Sequence, residues 1–301
     1  MTKPSIIEYL LLACLALLWG SSYLFISVSV ASIPPATLIA ARVAIAALVL
    51  FAVMRWRGER LPRDGRTWRQ LGIQAVFNSI GAWTLLAWGQ QYVDSGLSSV
   101  LNSTSPVFVV LAGMLASGGT MAHGWKLLGV GLGVAGVVTI MGPEVLDGLG
   151  QDVLAQAAIL GGAILYACAA LYGRRFSRLP ATVTATGTMI VASGVLIPAS
   201  IVLDRPWTLA PSVEAMMTVL ILGTACTGLA LLIYFRLVRT LGAAGVASQS
   251  YLRSGIGVVL GMAVLGETLS PETWVGIVLA IAGVIAINRP VAALAAQTKA
   301  G

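Results

Sequence analysis

The chain is poor in almost everything from which a soluble enzyme is built. Only 10% of its 301 residues are charged, while 58% are hydrophobic, against roughly a quarter charged in ordinary globular domains. It has one histidine, His123, and three cysteines, Cys14, Cys168 and Cys226. The cysteines lie apart in apolar stretches with no CxxC pair, so they read as small packing residues, not as a disulfide framework or a metal site. No Asp or Glu falls in the middle of a hydrophobic segment. With one loop histidine and no buried acid, a membrane enzyme has no nucleophile–base pair or metal cluster to work with. GxxxxGK[ST] is also missing, which excludes built-in ATP hydrolysis. No cofactor and no metal are implied.

What is there instead is apolar length. Ten segments stand out, near 6–28, 36–54, 71–91, 97–117, 125–142, 153–173, 182–203, 215–235, 243–265 and 273–289. Each suits a bilayer core of about 30 Å, which takes about 20 helical residues. Mean hydropathy is +0.92, and the short connections leave no room for a soluble domain. Charge sorts by connection. Arg55, Arg57, Arg60, Arg63, Arg66 and Arg69 crowd the gap after the second segment, and Lys126, Arg174, Arg175, Arg178, Arg236 and Arg239 fall in alternate gaps with Lys3, Arg289 and Lys299. Asp94, Glu144, Asp147, Asp152, Asp204, Glu214, Glu267 and Glu272 fall in the others, where Arg205 is the single base. Basic residues resist translocation, so both termini are expected in the cytoplasm of a bacterial cell, with the protein multi-pass in the inner membrane. The net charge of +7 follows from that topology and calls for no nucleic-acid partner. The N-terminal stretch is longer than a signal h-region, lacks a small-x-small cleavage site and contains Trp19 and Tyr23, so it reads as a retained first span.

Shifting the sequence by 147 residues lays one half on the other. Leu18-Trp19-Gly20 falls on Leu165-Tyr166-Ala167, Gly129 on Gly276, and Ala135-Gly136-Val137 on Ala282-Gly283-Val284. Five spans per half, in residues 1–146 and 147–301, force the second half to enter the bilayer from the opposite side. The expected fold is therefore an all-α integral membrane protein of ten helices in two inverted five-helix repeats, the architecture of many secondary transporters that bind substrate near the midplane.

Leu18-Trp19-Gly20-Ser21-Ser22 in the first span, Arg42 in the second, Ser105-Pro106-Val107-Phe108 in the fourth and Leu265-Gly266-Glu267-Thr268-Leu269 before the tenth carry a resemblance. In order and spacing they resemble the drug/metabolite transporter superfamily in its ten-span, two-repeat EamA form, over nearly the whole chain. The resemblance implies export of a small molecule through a central cavity, and within the superfamily the chain is most similar to bacterial aromatic amino-acid exporters. Two positions depart from the pattern: Gly-Glu after span four is Gly119-Thr120 here, and the proline of span nine is replaced near Arg253-Ser254.

Polar residues inside a bilayer cost several kcal/mol unless satisfied, so they turn to protein or to a wet cavity. Arg253 is the deepest charge, with Gln249 one turn below it and Tyr251 adjacent; an Arg fork matches a carboxylate, and a structural arginine tied to helix carbonyls is the alternative. Arg42, nearer the end of its span, reads as structural. Ser98 and Asn102 share a face at i, i+4, and Asn78 lies in span three; these line a cavity or bridge helices. Trp19, Trp83 and Tyr166 fall well within spans and suit an aromatic cavity wall for planar or cationic substrates, with Tyr23 toward the outer mouth. Trp56, Trp68, Trp125, Trp207 and Trp274 fall at span ends as an interfacial belt. Gly129-Val130-Gly131-Leu132-Gly133 mimics a dinucleotide fingerprint but lies inside a span, where small residues let helices pack closely. Pro106 and Pro198 should kink their helices.

The expected activity is alternating-access export of small metabolites, amino acids with aromatic ones favoured, by a monomer. Without an intramembrane acid or histidine for a proton path, the driving force is expected to be the substrate gradient. The alternatives are a flippase for polar lipids or isoprenoid carriers, which needs an opening toward lipid, and a drug/cation proton antiporter.

Overall fold

The computed structural model describes residues 6–116, 124–141, 151–241, 246 and 249–287. Ten long helical segments hold most of them. They are α1 (Ile6–Val30), α2 (Pro35–Trp56), α3 (Gly65–Gly89), α4 (Ser95–Asn102, continued by Ser105–Ala116), α5 (Gly124–Met141), α6 (Gln151–Gly173), α7 (Ala181–Leu203), α8 (Val213–Thr240), α9 (Gln249–Leu265) and α10 (Pro271–Ile287). Seven are long and apolar enough to cross a membrane, and three shorter apolar helices, in α5, α9 and α10, complete the set. Apolar side chains on both faces of these helices bury one side in the bundle and leave Leu48, Val138, Val202 and Val278 exposed on the other, as a lipid-facing surface requires. The described side chains at Trp56, Trp125, Trp207 and Trp274 are exposed near helix ends, consistent with an interfacial belt.

Packing obeys the 147-residue offset. The equivalent helices α5 and α10 pack on each other, as do α2 and α7. Contacts of α1 with α8 and α9 have counterparts in α6 with α3 and α4, and α2 on α8 mirrors α7 on α3. Glycine makes the α5–α10 crossing possible. A Cβ built on Gly136 would come within 2.5 Å of Ala280 N, and one on Gly283 within 2.5 Å of Gly133 N. Gly129 faces the carbonyl of Gly283, and Gly136 that of Gly276; the offset converts the first contact into the second. Lipid tails are as apolar as the helix surface, so close backbone packing, not hydrophobic expulsion, holds such a crossing together.

Helix ends are fixed by local chemistry. Asp64 starts α3 by accepting from Thr67 N at 2.7 Å, and Ser212 starts α8 by accepting from Ala215 N at 3.1 Å, both N-caps. Thr37, in the first turn of α2, bonds Asp204 at the end of α7 through N and Oγ1, at 2.8 and 2.7 Å. At the opposite end Arg57 donates to Thr182 Oγ1 at 3.0 Å. These three bonds pin α2 antiparallel to α7.

Three irregularities matter. α3 carries a π-helical turn at Val76–Gly81 and α8 another at Thr224–Leu229, one residue from perfect equivalence under the offset. Each accommodates an extra residue per turn, a feature that recurs at functional sites. α4 breaks at Ser103–Thr104 just before Pro106, because proline lacks an N–H and disfavours helical geometry in the residue before it. Pro198 instead lies within the continuous α7.

Candidate functional site

The interior where the repeats meet is polar and crossed by one chain of contacts. Arg42, two turns into α2, is 4% exposed. Its Nε donates to Thr227 Oγ1 at 2.9 Å, and its Cζ sits 4.1 Å from the ring centre of Trp83. Trp83 Nε1 in turn donates to the Tyr166 hydroxyl. Thr227 belongs to the π turn of α8, where its hydroxyl donates to Leu222 O, five residues back, at 2.7 Å. Trp83 follows the π turn of α3. The string Thr227–Arg42–Trp83–Tyr166 thus joins α8, α2, α3 and α6, two helices from each repeat.

A second group centres on Tyr23 of α1, which is 3% exposed. Asn102 Nδ2 of α4 donates to its hydroxyl at 2.8 Å, and Gln90 Nε2 donates to its backbone carbonyl at 2.9 Å. Tyr23 is thus a buried tie among three helices.

The third group surrounds Arg253 in α9. Its Nη2 donates to Ser103 Oγ at the break in α4, 3.4 Å away. A small cavity of about 10 Å³ adjoins, lined in part by Ser103, Thr104, Ser250 and Ser254. Ser99 Oγ donates to Ser254 O at 3.2 Å, and Gln249 Nε2 contacts Ser250 Oγ at 3.4 Å. The break in α4 therefore presents the Ser103 hydroxyl to the guanidinium.

Of the eleven buried polar side-chain atoms with no hydrogen-bond partner among the described residues, five lie in or beside these groups. They include the acceptors Asn102 Oδ1, Gln90 Oε1 and Gln249 Oε1, the donor Arg253 Nε, and the hydroxyl of Ser98. Such atoms are rare in folded interiors and mark places where a polar ligand or solvent is expected. Charge is unbalanced in the same region. Among the described residues the ion pair is Arg236–Glu8, at 3.3 Å between the far ends of α8 and α1, and neither Arg42 nor Arg253 has an acid partner.

Other residues singled out from the sequence lie elsewhere. Trp19 packs against Tyr234, ring centres 5.5 Å apart, in a separate apolar cluster with Leu15, Ala230 and Leu237. Asn78, within the π turn of α3, bonds its neighbour Ser79 at 3.1 Å. The backbone of Tyr251 lies in α9, but its side chain lies outside the described residues, as do His123 and Gly119-Thr120. Sequence reasoning missed Gln90, Ser103 and Thr227, since Gln90 lies at the end of its span and the Ser103 and Thr227 hydroxyls can satisfy themselves on their own helix backbone, and it set Arg42 apart from the others. The signal for Arg42 was available: an unpaired charge two turns inside a span.

At the acidic end of the bundle, Glu267 accepts from Ser95 N at 2.7 Å and from Gly96 N at 2.9 Å. It satisfies two free N–H groups of α4 and complements the positive end of that helix. Asp94 lies immediately before α4, and burial, with the nearby Glu267 charge second, raises its carboxyl above the usual aspartate range. Asp64, at the other end and exposed, is lowered by the Thr67 N–H it accepts.

A ten-helix membrane bundle of two inverted repeats that meet around polar groups is an architecture common among transporters. The EamA-like transporter family model matches twice, over residues 6–142 and 153–289, one copy per half. The chain belongs to that family, whose members are transporters and not enzymes. It is 28% identical over 278 residues to the uncharacterised inner membrane transporter YedA of Escherichia coli K12, covering 92% of this chain and 89% of that protein. It is 27% identical over 276 residues to a probable terminal-alkyne amino-acid exporter of Streptantibioticus cattleyicolor, covering 90% of each. A solved crystal structure superimposes with TM-score 0.66 at 20% identity over 93% of this chain and 96% of that one, which shows the shared fold. The protein is a multi-pass membrane transporter of small molecules.

Proposed function

We propose that the protein exports amino acids, aromatic ones preferred, from the cytoplasm across the bacterial inner membrane. Residues 1–146 and 147–301 act as the two moving halves, with both termini cytoplasmic and the monomer as the working unit. The observation that carries the reading is the division of the unpartnered buried atoms. A guanidinium at Arg253 has a free N–H for a carboxylate, while Asn102 Oδ1 and Gln249 Oε1 are free to accept from an ammonium. Trp83, Tyr166 and Tyr23 supply ring surface for the side chain. Similarity to the terminal-alkyne amino-acid exporter supports the same substrate class. Among the described residues each acid lies toward a helix end or outside the helices, which supports gradient-driven export over proton exchange.

A flippase would need a lateral polar entry. The lateral crevice of about 290 Å³ between α2 and α7 is lined by Ala44, Ala47, Leu48, Phe51, Ile190 and Ser193, and this lining offers no charge to a headgroup. The test is efflux from proteoliposomes loaded with phenylalanine, tryptophan, lysine or a fluorescent lipid. Aromatic amino acids should leave fastest, independently of an imposed pH gradient, and Arg253→Ala should slow them at least tenfold. Unchanged efflux in Arg253→Ala removes the carboxylate assignment, and lipid movement without amino-acid movement replaces the reading with the flippase.

A further inference from the structure

Arg42 is a charge that has no acid partner among the described residues. Its two terminal nitrogens have no hydrogen-bond partner among the described residues, and its two contacts are neutral: the Thr227 hydroxyl through Nε and the face of Trp83. A cation–π contact offsets roughly 2 kcal/mol when desolvated, less than the several kcal/mol that burying an ion costs. Position adds a second argument. At about 1.5 Å per residue, Arg42 lies about 10 Å from the acidic end of its helix, where α2 begins at Pro35. Arg253 lies about 18 Å from the same end, where α9 stops at Leu265. The two guanidiniums are therefore staggered along the membrane normal, Arg253 nearer the basic end and Arg42 nearer the acidic one.

We propose that Arg42 is a second carboxylate-binding position, to which the substrate passes from Arg253 on its way to the acidic face. This rests on the amino-acid reading above. Its chemical requirement is narrower: the transported molecule must carry a carboxylate, whatever else it carries. At Arg42 the carboxylate takes up the free fork nitrogens, and the ring of Trp83 is released from the cation it now covers. Thr227 and Trp83 belong to opposite repeats, so filling this position loosens a contact that spans both.

The experiment compares purified wild type, Arg42→Gln, Arg42→Lys and Arg253→Gln. Binding is followed by ligand-induced thermal shift, and efflux from proteoliposomes is measured for phenylalanine, phenylacetate and phenylalanine methyl ester. Arg42→Gln is expected to bind phenylalanine within about threefold of wild type but to release it at least tenfold more slowly, the scale of one charge-assisted hydrogen bond. Arg42→Lys should recover part of the rate, and movement of the ester, which has no carboxylate, should not respond to either change. Arg253→Gln should lose binding itself. A folded Arg42→Gln protein that exports phenylalanine at the wild-type rate overturns the proposal and leaves the amino-acid reading standing. Equal slowing of acid and ester, or loss of the fold in both Arg42 variants, also overturns it, by showing a structural arginine. If no carboxylate binds or moves in wild type, both readings fall.

Discussion

At the scale of single residues, the centre is organised around groups that the described residues leave half-paired, and its rim around carboxylates at helix starts. Asp94 is the clearest rim case. Its folded carboxyl titrates above the ordinary aspartate value, first through burial and then through Glu267, so the folded state holds that proton more tightly than the unfolded chain does. The resulting stabilisation is complete below the ordinary aspartate range and is lost as pH rises through the raised value. Asp94→Asn is therefore expected to melt higher than wild type at pH 7 and to converge with it below pH 4, measured by thermal unfolding in detergent. A variant that melts lower at neutral pH contradicts this sign. Sequence could name Arg253, Asn102 and Gln249, because polar residues in apolar spans announce themselves. It could not pair Asn102 with Tyr23 or Arg42 with Trp83, because those contacts join helices between 41 and 79 residues apart in the chain.

Among the elements, helix existence was almost fully legible and helix interiors were not. Segments read near 36–54 and 182–203 emerge as α2, Pro35–Trp56, and α7, Ala181–Leu203, because apolar length is itself the physical constraint in a bilayer. The π turns were invisible, since Val76–Gly81 and Thr224–Leu229 contain nothing that forbids an ordinary helix. The break in α4 was legible at Pro106, whereas Pro198 is absorbed into α7. The glycine face of α5 gives the sharpest test at this scale. Gly136→Ala and Gly283→Ala should each destabilise by about 1–3 kcal/mol, since the added methyl meets backbone and must push the helices apart. Gly131→Ala, with nothing within 4 Å of the new Cβ, should be neutral or stabilise by up to about 1 kcal/mol through helix propensity. Equal melting temperatures for all three would mean that α5 and α10 do not cross at these glycines.

For the whole molecule, the repeat is the organising fact, and the odd number of spans per half makes it inverted. In a chain whose three native cysteines are replaced, Arg60→Cys, between α2 and α3, and Ala210→Cys, between α7 and α8, should lie on opposite faces. A membrane-impermeant thiol reagent applied to intact spheroplasts should modify position 210 and spare position 60. Modification of both from outside would contradict the helix count between them; modification of position 60 alone would reverse the orientation. The paired π turns carry a consequence for how such a molecule moves. An extra residue in a helix behaves like a dislocation in a crystal: it can glide by one position at a time, exchanging a few hydrogen bonds and never melting the rod. Each step turns the helix segment it passes by about 100° and advances it about 1.5 Å. With one such defect in each half, on either side of Arg42, a swivel in one half has a matching swivel available in the other.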